Sequence, residues 1–401
     1  MSWTPEELAQ ARTQLVDAVT RFARSEIAPH VSEWDAAGEF PRELYRRAAG
    51  LGLLGLGYPE ALGGSDAPYA LRMPVWRALC RHGASGGVQA SLFSHNIALP
   101  LVVLLASDEV KREVVPPVLA GEQIAALAIT EPGGGSDVAQ LRTTARRDGG
   151  DYVIDGEKIF ITSGMRADWI TLAVRTDATR KGAGGISLIV VPGASAGLSR
   201  TRLDKMGWLS SDTAHLRFDG VRVSARYLLG GEGEGFKAIM GNFNGERLGL
   251  AAGAVGYAEA CLDEALAWAR QRTAFGQPLV QHQVIRHKLV DMRQRICVSS
   301  AWLDAVAARA DAGDMGPDWV AEVCTLKNQA TQTMQFCADA GVQILGGMGY
   351  MRGTVCERLY REVKVVTIGG GTEEIMKELA ARQWGFRSEE HTSELQSLAY
   401  L

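Results

Sequence analysis

The sequence predicts an α+β fold in three successive zones, helical, then sheet, then helical, and three textures along the chain predict it. From residue 4 to about 127, apolar residues recur at helical spacing, as in PEELAQARTQLVDAVTRFARSEI and DEVKREVVPPVLAG. From about 128 to 230 the pattern turns to short strand-like segments: YVIDGEKIFIT, WITLAVR, ISLIVVP and LRFDGVRV. Long helical stretches return from 235 to about 386. Strand and helix never alternate in a βαβ rhythm, which argues against a doubly wound nucleotide-binding domain. The expected domains are therefore residues 1–127, 128–234 and 235–386.

In the first zone, GLGLLG (50–55) matches the glycine spacing of a dinucleotide fingerprint, but that motif needs a strand before it and a helix after it. Here the helical PRELYRRAAG precedes it and the turn-like YPEALGGS follows, so it reads as a helix-to-loop corner. In the second zone, Asp155-Gly156 is a strong short hairpin signal. AITEPGGGSD (128–137) lies where helical texture gives way to sheet. Its glycine turns, with Thr130 and Ser136 beside them, suit either a cradle for a phosphate or heterocycle or a loop without a ligand. Near the end of the third zone, IGGGTEEI (368–375) poses a sharper question. A glycine run entering a helix holds anions, while Glu373 and Glu374 are potential bases. His95, in the apolar SLFSHNIALP, reads as a structural histidine, and Trp208 as packing.

Composition narrows the function. The 401 residues suffice for two or three domains with a buried core, and 46% hydrophobic with 22% charged residues is ordinary for a soluble globular protein. A formal charge of -4 without a basic stripe argues against nucleic-acid binding. The six cysteines (Cys80, Cys261, Cys297, Cys324, Cys337, Cys356) form no C-x-x-C, which points to a reducing compartment and away from zinc or a disulfide framework. The polar, acidic MSWTPEELAQ resembles neither a signal nor a transit peptide. The apolar run IALPLVVLLA is about half the length needed to span a bilayer. A cytoplasmic protein with no metal and no membrane association is expected. RSEEHTSELQS (387–397) matches a translated sequencing adapter, so 387–401 is set aside as an adapter-derived tail.

Five motifs, in order, carry a resemblance to the acyl-CoA dehydrogenase family. AITEPGGGSDVA resembles its first signature and KIFITSG (158–164) the segment packed against the flavin. RTAFGQPL (272–279) is similar to an element that reaches a neighbouring subunit, QILGGMGY (343–350) to the second signature, and IGGGTEEI to the terminal cofactor loop. The resemblance implies an N-terminal α-helical domain, a middle β-sheet domain and a C-terminal four-helix-bundle-like domain, with FAD as cofactor. It places Ile129 and Thr130 at the flavin ring, Gly135 in the cofactor loop, Ser136 at the pyrophosphate and substrate, and Phe160 and Thr162 beside the isoalloxazine. It assigns Arg272, Phe275, Gln343, Gly346 and Gly347 to a partner subunit's FAD in a homotetramer, and Thr372 and Glu374 to the adenosine. Ser211, Arg247 and Gly369 become substrate contacts. Three positions depart from the family pattern: Gln140 replaces a small residue, Gly353 an acidic one and Glu362 an aspartate.

The activity implied is α,β-dehydrogenation of an acyl-CoA, with electrons passed to electron-transferring flavoprotein. It needs a carboxylate to take the α-proton and donors to hold the thioester oxygen as charge develops there. In the medium-chain branch the base directly precedes the final Gly-Thr of the terminal loop, where this chain has Gly370, preceded by Gly369. In the isovaleryl and long-chain branches it precedes an arginine on a helix, and the matching pair here is Glu246-Arg247 in NFNGERLGLAAGAVG (242–256). Gly245, Gly249, Gly253 and Gly256 each cost about 1 kcal/mol relative to Ala, which implies close approach of a backbone or ligand. By itself the pair also reads as ordinary helix surface; with the resemblance, Glu246 is the expected base and the Gly370 backbone N–H a donor to the thioester. The two glycines in place of larger side chains imply a branched or otherwise bulky acyl group. An oxygen-using flavoenzyme of the same fold, a DNA-associated relative or a catalytically dead scaffold remain the alternatives.

Overall fold

The structure is a computed structural model that describes residues 4–386 apart from 181; the expected adapter-derived tail lies outside the described residues. Seven helices come first: α1 (Pro5–Phe22), α2 (Val31–Ala37), α3 (Glu43–Gly50), α4 (Tyr69–Gly83), α5 (Gly86–Leu92), α6 (His95–Leu105) and α7 (Asp108–Leu119). The first begins with a reciprocal cap. The Thr4 hydroxyl accepts from the Glu7 N–H at 3.2 Å, and the Glu7 carboxylate accepts from the Thr4 N–H at 2.8 Å. GLGLLG is the corner after α3, as its flanks predict.

Eight strands follow: β1 (Ala125–Ala128), β2 (Thr144–Asp148), β3 (Asp151–Thr162), β4 (Trp169–Arg175), β5 (Ile186–Pro192), β6 (Leu198–Arg202), β7 (Thr213–Ser224) and β8 (Leu228–Leu229). They form one sheet in the order β6-β7-β3-β2-β4-β5-β8, with β1 parallel to β4. The sheet corrects the hairpin expectation. Asp155-Gly156 is not a turn; β3 runs straight through it, and the β2–β3 turn is at Gly149-Gly150. Its pairing with β7 shifts register between Ile154 and Gly156, and Gly156 takes φ +142° so that the backbone can pass Thr143. A methyl there would lie 2.7 Å from the Thr143 Cα. The glycine marks a bulge, which shares the local sequence signature of a turn.

The last zone contains α8 (Gly235–Gln271), a small hairpin of β9 (Thr273–Ala274) and β10 (Gln277–Pro278), then α9 (Gln283–Asp311), α10 (Pro317–Leu345), α11 (Gly347–Tyr350), α12 (Val355–Ile368) and α13 (Glu373–Gln383). Helix α10 packs on α8, α9, α12 and α13, giving the helical bundle.

Two large apolar cores result, and α8 belongs to both. Phe236, Ile239 and Met240 join the sheet, α6 and α7, whereas Leu248 to Ala269 join the helices of both ends of the chain. The glycine load of α8 has a split explanation. A methyl on Gly256 would lie 2.3 Å from the Arg77 carbonyl oxygen of α4, and one on Gly253 3.5 Å from Cys80 Sγ. Beside them Arg77 grips Glu259 with two hydrogen bonds, at 2.9 and 2.6 Å. Gly249 has no such neighbour within 4 Å, so close packing does not account for it. Gly256→Ala is expected to force α4 from α8 and to cost about 1–3 kcal/mol, read as a lowered urea midpoint, with Gly249→Ala losing less.

Candidate active site

Two buried arrangements position the expected residues. In the first, the glycine turn after β1 is pinned from inside. Glu131 and Gly134 bridge each other's backbone, and the Glu131 carboxylate accepts from the N–H groups of Arg142 at 2.6 Å and Thr143 at 2.9 Å. The fully buried Lys158 Nζ donates to that carboxylate and to the Ile129 carbonyl, both at 2.8 Å. Burial pushes the Lys158 ammonium down to about 8, with Glu131 opposing. Burial also works to raise the Glu131 pKa, but Lys158 and Thr143 outweigh it and the net shift is downward.

Ile159 N–H donates to the Thr130 carbonyl at 2.9 Å, tying the turn to the end of β3 that carries Phe160 and Thr162, while Ile129 is buried in the sheet core. Phe160 stands 66% exposed with φ +63°, a strained state for an aromatic residue, and Ser163 follows at φ +60°. Gly135 and Ser136 are exposed, and Gly133 meets nothing within 4 Å.

In the second arrangement, the 369–371 loop between α12 and α13 is held by two cations. Arg247 Nε donates to the Gly370 carbonyl at 3.1 Å and Lys327 Nζ to the Gly371 carbonyl at 2.7 Å. Gly370 and Gly371 have φ of +68° and +104°, so the loop needs glycine there. Glu246 lies alongside: a Cβ on Gly370 would be 3.7 Å from its Oε1. Burial pushes the Glu246 carboxyl up to about 7, against the attraction of Arg247 and Lys327. Thr372 caps α13, accepting from the Ile375 N–H at 3.3 Å. Glu373 instead accepts from Gln332, and Glu374 is exposed.

Other expected residues fall elsewhere. Ser211 is 1% exposed, and its hydroxyl is bonded to that of Ser91 at 2.7 Å. Arg272 caps the end of α8 and Phe275 sits in the turn between β9 and β10, while Gln343 is in the last turn of α10, Gly346 caps it and Gly347 begins α11. Among the described residues no hydrogen bond or ring contact joins either group to Thr130, Phe160 or Thr162. Phe275 is 97% exposed. His95 is structural, with Nε2 2.9 Å from the Leu54 carbonyl oxygen and burial pushing its pKa down to about 4. Glu362 is buried and accepts from the Gly86 N–H at 2.8 Å.

Residues 9–122, 126–221 and 233–385 match, in turn, the N-terminal, middle and C-terminal domains of acyl-CoA dehydrogenase. The chain belongs to the acyl-CoA dehydrogenase family. It is 37% identical over 369 residues to the mitochondrial long-chain specific acyl-CoA dehydrogenase of Sus scrofa, covering 92% of this chain and 85% of that one. Its fold matches a probable acyl-CoA dehydrogenase from Mycobacterium abscessus with a TM-score of 0.90 and 47% identity, over 95% of this chain and 99% of that one. A glutaryl-CoA dehydrogenase from Mycobacterium smegmatis, solved with FADH2, matches with a TM-score of 0.88 and 25% identity, over 94% and 95%.

Family members are FAD-dependent oxidoreductases, and the residues of this acyl-CoA dehydrogenase fit that cofactor. The open glycine turn beside Thr130 and the strained, outward Phe160 offer backbone donors and an aromatic face to a large heterocycle. Lys158, Glu131 and Lys327 were not among the expected residues. Their signal is a charged residue at an inward position: Lys158 continues the inward Tyr152 and Ile154 of β3, and Lys327 sits between Val323 and Thr331 on the buried stripe of α10. Glu131→Ala would strand the buried Lys158 charge at a cost of roughly 3–5 kcal/mol. The expected outcome is a lowered urea midpoint together with loss of FAD during purification.

Proposed function

We propose that this chain dehydrogenates an acyl-CoA thioester to the trans-2-enoyl-CoA, with Glu246 as the base that removes the α-proton. The observation that carries the reading is the Glu246 carboxyl lying beside Gly370, 3.7 Å from where a Cβ on that residue would sit. A carboxylate can reach that spot from the terminal loop or from α8, and here only α8 supplies one. Burial places the Glu246 pKa at about 7, a suitable value for a base working near neutral pH. The Gly370 N–H donates to the thioester oxygen and stabilises the charge that develops there. Arg247 orients the loop by holding the Gly370 carbonyl.

Ile129, Thr130, Gly135, Ser136, Phe160 and Thr162, with Thr372 and Glu374 on the adenosine side, would hold FAD, which would supply the acceptor for the β-hydride. Arg272, Phe275, Gln343, Gly346 and Gly347 face a partner subunit's FAD in a homotetramer, which accounts for an aromatic side chain left almost wholly in water. Electrons pass onward to electron-transferring flavoprotein.

The room beside the thioester comes from Gly369 more than from Gly370. Leu250 already fills the second position, since a methyl on Gly370 would lie 2.8 Å from its Cδ1. Gly369 has extended backbone, and its nearest neighbour for an added methyl is the Val365 carbonyl oxygen at 3.2 Å. An acyl group branched near the thioester fits that opening.

Anaerobic titration with isovaleryl-, octanoyl- and palmitoyl-CoA tests both statements. Glu246→Gln is expected to slow bleaching of the flavin band by about 10²–10⁴-fold, and equal bleaching in both proteins would place the base elsewhere. Gly369→Tyr should favour straight chains over branched ones, read as a change in the ratio of their kcat/KM values. A wild type that excludes the branched substrate sinks the pocket argument.

A further inference from the structure

Lys327 has no place in the proposed chemistry, yet it is among the largest fully buried side chains of the molecule. Its ammonium has one hydrogen-bond acceptor, the Gly371 carbonyl at 2.7 Å, and none of the described ion pairs includes it. A buried ammonium without a contacting carboxylate is costly, so something else must stabilise it. The charges that face it are Arg247, which repels it, and Glu246 and Glu373, which attract it; the Cys324 thiol lies on its own helix. Around Glu246 the same groups recur: Arg247 on α8 and Lys327 on α10 attract it, and Tyr69 of α4 approaches the neighbouring Gly245. Lys327 thus touches the loop that carries the Gly370 N–H and acts through space on the carboxyl beside that loop.

We propose that Lys327 is a positioning residue that sets both halves of the reaction geometry, fixing the 369–371 loop through the Gly371 carbonyl and keeping the Glu246 base ionised by its positive charge. The inference rests on Glu246 being the base. Its signature is a pair of linked ionisations. Glu246 must be deprotonated to act, and burial pushes its pKa up to about 7, so the rate rises as pH passes that value. Lys327 must be protonated to act, and burial pushes its pKa down to about 8, so the rate falls as pH passes that value. A residue that merely filled space would change the rate at every pH without moving either limb.

The experiment is the pH profile of flavin reduction by the best acyl-CoA of the panel, between about pH 6 and 9.5. FAD-loaded wild type, Lys327→Gln, Lys327→Arg and Glu246→Gln are compared. Wild type is expected to show both limbs, and a rate that stays flat on the alkaline side overturns the proposal. In Lys327→Gln the acid limb should move up by about one pH unit or more and the alkaline limb should vanish. Amide exchange in the 369–372 segment, which is independent of activity, should also quicken. Wild-type limbs in that variant overturn the proposal.

If Lys327→Gln does not retain FAD, Lys327→Arg decides. A charge that persists at all pH should keep the acid limb and abolish the alkaline one, and a retained alkaline limb overturns the proposal. Glu246→Gln separates the two levels of inference. Wild-type reduction in it overturns the base assignment and this proposal together. An inactive Glu246→Gln beside unmoved limbs in Lys327→Gln overturns this proposal alone.

Discussion

The structure depends on one helix crossing two cores without a break. Helix α8 begins against the sheet with Phe236, Ile239 and Met240 and ends among the helices with Leu248 onward. A rigid rod seated in both cores fixes the sheet relative to the bundle, and Glu246 lies at the point where α8 passes from one to the other. Its partner elements come from distant parts of the chain: Asn242 donates to the Ile97 carbonyl of α6 at 2.8 Å, and Arg247 reaches the loop after α12. The close approach of α4 at Gly253 and Gly256 holds the helical end of the rod in place. A carboxyl at such a junction is partly withdrawn from water, and burial raises its pKa against the attraction of Arg247 and Lys327.

Buried cations do the work that secondary structure cannot do in the two glycine segments. The turn after β1 and the loop before α13 have backbone carbonyls that no ladder or helix satisfies, and each is held by a lysine from another element. Lys158 holds the Ile129 carbonyl and has Glu131 as counter-charge. Lys327 holds the Gly371 carbonyl and has only through-space partners. The first arrangement is a closed pair and fixes shape. The second has no contacting counter-charge and acts through space on the carboxyl that the proposed chemistry uses, so its stability and the ionisation of Glu246 are linked.

Much of the fold was legible in the sequence because it rests on local periodicity. The three zones follow from period 3.6 giving way to period 2 and back, and the corner at GLGLLG follows from what flanks it. His95 was legible as a structural residue because a lone imidazole in an apolar helix must find an acceptor, and it found the Leu54 carbonyl. The hairpin signal at Asp155-Gly156 misled for a physical reason: a glycine with positive φ serves a bulge as well as a turn, and only pairing with β7 distinguishes them. Glycine load alone likewise did not separate Gly256, crowded by α4, from Gly249, which meets nothing.

By itself, then, the sequence determined the order of the layers, the family motifs and the carboxylate that precedes an arginine on a long helix, since each is written in residues close together in the chain. Tertiary structure alone decided that Glu246 meets Gly370, that Leu250 fills the space beside it, that Ser211 is buried against Ser91, and that Lys158 and Lys327 hold the two glycine segments. Those contacts join residues far apart in sequence. Their energies come from burial and from charges acting across helices, and neither leaves a periodic trace in the chain.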